Sequence, residues 1–114
     1  MGILGKRALF ETLRSINSAT FTGALQALGT PLLHPSVLMK IVNNSTVAVT
    51  ISYDGVNDND IVPANGFVLY DFGSDAQDVS GDSRLAFGQG TQVYVRSEFV
   101  GVGSVYLVTV YVGG

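Results

Sequence analysis

Cysteine is absent from this chain, so neither a disulfide framework nor a thiolate metal site is open to it. Tryptophan is absent too, and the single histidine, His34, excludes any site built on two imidazoles of one chain. Charge is scarce. Asp, Glu, Lys and Arg make up 13% of the residues, against roughly 25% in an ordinary soluble domain. Apolar residues make up 46%, and the mean hydropathy is +0.36. With 114 residues there is room for one core, and so small a domain should be more polar than average. A chain this apolar either exposes hydrophobic surface or covers it with other subunits. The second is the expectation.

No run approaches the roughly 18 apolar residues of a membrane span, so no membrane partner is expected. The opening Met1-Gly-Ile-Leu-Gly-Lys-Arg7 lacks the basic-then-apolar order of a signal peptide, and Lys6 breaks the myristoylation pattern. The expectation is a protein made in the cytoplasm. The net charge of −3 is unevenly spread. Residues 1–16 carry Lys6, Arg7 and Arg14 against Glu11, whereas the remainder is strongly acidic. An acidic body would repel phosphate, so no nucleic-acid binding by it is expected.

Leu9, Leu13 and Ile16 fall at i, i+4 and i+7, a short helical stripe. Residues 1–16 therefore read as an arm or short helix, marginal alone and in need of a surface to order it. It either reaches a neighbour or caps its own domain. Residues 17–114 read as β structure throughout. Thr46 to Tyr53 alternates strictly, with Val47, Val49, Ile51 and Tyr53 on one face. Ser36 to Val42 is a strand candidate upstream, and Asn43-Asn-Ser45 offers hairpin chemistry between the two. Further candidates are Asp60 to Val62, Gly66 to Phe72, Gln92 to Arg96 and Val105 to Val112, with a weaker one at Phe21 to Leu28. Seven short strands punctuated by turns predict an all-β fold, an antiparallel β-sandwich or a jelly-roll-like barrel. Val105 to Val112 has large residues on both faces, so it must be central or covered. Asp71 to Ser83 is polar and reads largely as a surface loop.

Residues able to carry chemistry are few. Asp54, Asn57, Asp58 and Asp60 offer oxygens for a cation, but their spacing misses the twelve-residue calcium loop and suits turns equally well. No metal is expected. His34 lies in the loop Thr30-Pro-Leu-Leu-His-Pro35 with no nucleophile signature nearby, which reads as a hydrogen-bonded loop residue. The glycines at 88, 90, 101 and 103 fall between strands and form no nucleotide fingerprint. No catalytic residue and no cofactor is expected.

Four segments have a familiar ring together: Ala27 to Val37, Lys40 to Thr46, Val49-Thr-Ile-Ser-Tyr-Asp-Gly55 and Val62-Pro-Ala-Asn-Gly-Phe-Val-Leu-Tyr-Asp71. Followed by Gly90-Thr-Gln-Val-Tyr-Val95 and a Gly-rich turn into the closing strand, they resemble small virion proteins of tailed bacteriophages. The resemblance spans about residues 24–112. It implies a β-sandwich that decorates a capsid or sits at the head–tail junction, synthesised in the bacterial host cytoplasm. Its partners would be copies of itself and other virion proteins. Lys6, Arg7, Leu9, Phe10, Leu13 and Arg14 are the expected contacts of the arm, and Tyr106, Val108 and Val110 those of the closing strand. A carbohydrate-binding or host-recognition sandwich is the alternative. It would group exposed tyrosines beside the Asp54 to Asp60 loop.

Overall fold

The computed structural model describes residues 7–72 and 86–113. Among these residues nine strands follow one another: β1 (Arg7–Phe10), β2 (Arg14–Asn17), β3 (Gln26–Ala27), β4 (Leu38–Ser45), β5 (Val49–Ser52), β6 (Asp60–Val62), β7 (Phe67–Asp71), β8 (Tyr94–Arg96) and β9 (Gly103–Gly113). Among the described residues a 3₁₀ turn, Ser18–Thr20, interrupts them. The strands form two antiparallel sheets. One has five strands in the order β1-β9-β4-β7, with β2 pairing β9 beyond β1; the other runs β3-β8-β5-β6. The chain is an all-β sandwich. Among the described residues no helix is long and apolar enough to cross a membrane.

Between the sheets lies one core. Met39 and Ile41 of β4 and Val105 and Leu107 of β9 face Val49, Ile51, Val62 and Val95 of the opposite sheet. Each such side chain stabilises the fold by about 1.5–3 kcal/mol relative to exposure. The alternation of β5 is the expected one, with Val49 and Ile51 buried. β9 is the longest strand and is hydrogen-bonded on both edges, to β4 and to β1 and β2. That central position accounts for its large residues on both faces.

Two local expectations are corrected. Leu9, Leu13 and Ile16 do not share a helix. Residues 7–10 and 14–17 are two short strands on the edge of β9, in register Phe10↔Val110 and Arg14↔Leu107. The kink at 11–13 breaks the alternation and so imitates helical spacing. Nor is Asn43-Asn-Ser45 a hairpin turn. It ends β4, and the chain then crosses to the other sheet, where β5 pairs β6 and β8. Asn43 is fully buried, and its side-chain amide donates to the carbonyls of Val47, Val62 and Pro63 at 2.8, 3.1 and 3.0 Å. Its Oδ1 accepts from the Ser45 hydroxyl at 2.6 Å. One side chain thus latches the β4–β5 crossover to the β6–β7 crossover.

Candidate assembly surfaces

The outer faces of the two sheets differ in character. On the four-stranded sheet, Thr50 pairs with Arg96 and Ile61, and Ser52 with Tyr94. Polar groups dominate there. Arg96 binds Asp58 at 2.6 Å and lies 3.6 Å from Glu98.

The five-stranded sheet turns an apolar face outward. The register aligns Phe67, Val42 and Tyr106 in one row, Leu69, Lys40 and Val108 in the next, and Asp71, Leu38, Val110 and Phe10 beyond. Phe67 is 64% exposed and Leu69 47%. Val42, Leu38, Tyr106 and Val108 are half-buried. Of the strand residues expected to make contacts, Tyr106 and Val108 are on this face and partly accessible, while Val110 is 7% exposed. Sequence reading missed Phe67 and Leu69. Their signal was present: Phe67-Val-Leu-Tyr70 is apolar at both parities, as in β9.

The residues expected to form the arm separate by role. Lys6 lies outside the described residues. Arg7 is exposed, Leu9 is half-buried, and Phe10 and Leu13 are 70% and 55% exposed. Arg14 is instead buried, because its strand position faces inward beside Leu107. An inward guanidinium needs partners, and the kink supplies one. Glu11 closes on Arg14 Nη2 at 2.7 Å, while Nε and Nη2 donate to the carbonyls of Thr30 and Pro31 at 2.7 and 3.0 Å. Gly29 makes room: a Cβ there would stand 2.6 Å from the Arg14 side chain, and its φ of +74° suits glycine.

Glu11 also accepts from the backbone N–H and ring Nδ1 of His34, both at 2.8 Å. Burial alone would raise its carboxyl pKa, but hydrogen bonds from Arg14, His34 and Leu33 together bring it below the ordinary value. His34 stacks on Tyr111 with centroids 3.7 Å apart and planes within 5°. Beside this group opens a cleft of about 560 Å³, rimmed by Phe10, Leu13 and Leu33. His34 is the hydrogen-bonded loop residue expected, now with a carboxylate on one nitrogen.

The acidic loop spends its oxygens locally. Asp54 accepts from the backbone N–H groups of Val56 and Asn57, both at 2.8 Å, and these hold its carboxyl far below the usual range. Asp58 is held by Arg96, and Asp60 accepts from the Tyr70 hydroxyl. Among the described residues no three acidic or imidazole groups gather as metal ligands would. Tyr53 and Tyr70 stand beside this loop but are half-buried, packed edge-to-face on each other and against Phe87. Burial pushes both phenols upward.

No protein-family model matches the chain, and no curated protein matches it.

Proposed function

We propose that this chain is a non-enzymatic structural subunit of a tailed-bacteriophage particle, present in many copies on the capsid or at the head–tail junction. The observation that carries this reading is the apolar outer face of the five-stranded sheet. The sandwich has its core between its sheets, and this second apolar surface lies outside that core. Contiguous apolar patches of this kind mark association sites. The occupant that fits is another copy of the same chain. Lys40 and Asp71 are the charged residues in the rows, one of each sign, and an apolar face covered by its like explains the scarcity of charge in the composition. The phage setting rests on the resemblance of the turn-and-strand motifs.

The test is electron microscopy of the purified protein beside a Phe67→Lys variant. Rings or lattice patches for the natural chain, changed in size or form in the variant with its β-sheet circular dichroism intact, support the reading. Particles unchanged by the substitution, or no particles in either sample, overturn it.

A further inference from the structure

A second pair of apolar features lies away from that face. Between β8 and β9 the loop exposes Phe99, Val100 and Val102 at 71%, 65% and 77%. It is held rigidly from below. Gly101 N–H donates to the Ser18 carbonyl, Val102 N–H to Thr46 Oγ1, and Thr46 N–H to the Val102 carbonyl, at 3.3, 3.0 and 3.1 Å. The missing side chain of Gly101 lets Thr46 and Val47 close against it, since a Cβ there would meet both within 3.0 Å. A pinned apolar loop loses little conformational entropy when it docks. At the opposite end of β9 is the cleft floored by the His34–Tyr111 stack, with Phe10, Leu13 and Leu33 exposed at its rim.

The two features cannot meet within one chain. β9 begins at Gly103, beside the loop, and reaches the cleft at Tyr111, a separation of about 27 Å at the usual strand rise. We infer that the Phe99–Val102 loop of one copy inserts into the Leu13–Leu33 cleft of the next, with Phe99 packing against the His34–Tyr111 rings. The cleft, at about 560 Å³, has room for an aromatic side chain with its flanking valines. Beside the loop Arg96 faces two carboxylates, Asp58 and Glu98, whereas at the cleft Glu11 is matched by Arg14 and Arg7 is exposed on the bordering strand, so the two ends differ in charge sign. Knob and cleft are different surfaces, so the contact is heterologous and runs head to tail. Such a contact closes into a ring or continues as a filament. The inference rests on the assembly reading and adds to it a directional contact separate from the two-sheet face.

A Leu69→Lys background removes the face-to-face contact and isolates this one. In that background the chain should remain heavier than 12.0 kDa by light scattering. Adding Phe99→Asp or Leu13→Asp should each reduce it to monomer, both being exposed positions whose substitution spares the core. An equimolar mixture of the two doubly substituted chains retains one intact knob and one intact cleft, and should form a dimer and nothing larger. If Leu69→Lys alone yields monomers, or the mixture stays monomeric, the head-to-tail contact is wrong. The first of these outcomes leaves the sheet-face reading standing. A wild-type chain that is itself monomeric at every concentration overturns both.

Discussion

Glu11 receives two hydrogen bonds from His34, one from its backbone N–H and one from its ring Nδ1, both 2.8 Å long. An ionised carboxylate can only accept, so ring Nδ1 carries a proton toward it. The same carboxylate neutralises Arg14, so one acidic side chain fastens the edge of β1–β2 to the loop 29–34.

Glu11→Gln should therefore cost the fold roughly 3 kcal/mol, because it leaves a buried guanidinium without its counter-charge. Denaturant unfolding at neutral pH checks this. Arg14→Met, which removes the charge and keeps an apolar stem, should cost less in a Glu11→Gln background than in the natural chain.

The same carboxylate gives the stability a direction in pH. Its folded pKa lies below the unfolded one, so its contribution is complete above about pH 5 and is lost as the pH falls through the depressed folded value. A melting-temperature series from neutral to acid pH should show this decline. In Glu11→Gln the decline should be shallower; an identical slope would mean that other carboxylates carry it.

Asn43→Ala should destabilise by about 2–3 kcal/mol, since it leaves the buried Val62 carbonyl without its side-chain donor and unties Val47 and Pro63 from it. Asn43→Asp should be at least as harmful, because it aims a carboxylate at those carbonyls. Urea midpoints of the two variants test the order.

Gly103→Ala should be damaging by a different route. Gly103 has φ +108°, and a Cβ would stand 2.1 Å from the Asn44 carbonyl oxygen across the β4–β9 pair. The start of β9 would have to move off β4. Hydrogen exchange should then quicken for Ser104 and Val105 before the strand centre.

Most of the architecture was legible in the sequence because period-2 burial leaves a strong trace. Val49 and Ile51 could be placed in the core, and β9 could be read as central from its two apolar faces. What failed depended on distant partners. Arg14 reads as a surface charge until the fold brings Glu11 and the carbonyls of Thr30 and Pro31 to it. Asn43 reads as a turn residue because its carbonyl partners Val62 and Pro63 lie about twenty positions on. The exposed pair Phe67 and Leu69 was hidden for another reason: alternation shows that a strand has two apolar faces, not which one meets the opposite sheet.

The measurement that bears most directly on assembly through the five-stranded sheet is the mass of the natural chain by light scattering across a concentration series, beside Leu69→Lys. The account predicts a defined oligomer well above 12.0 kDa for the natural chain and a smaller species for the variant at the same concentrations. A natural chain that stays monomeric throughout, or two identical mass curves, would contradict it.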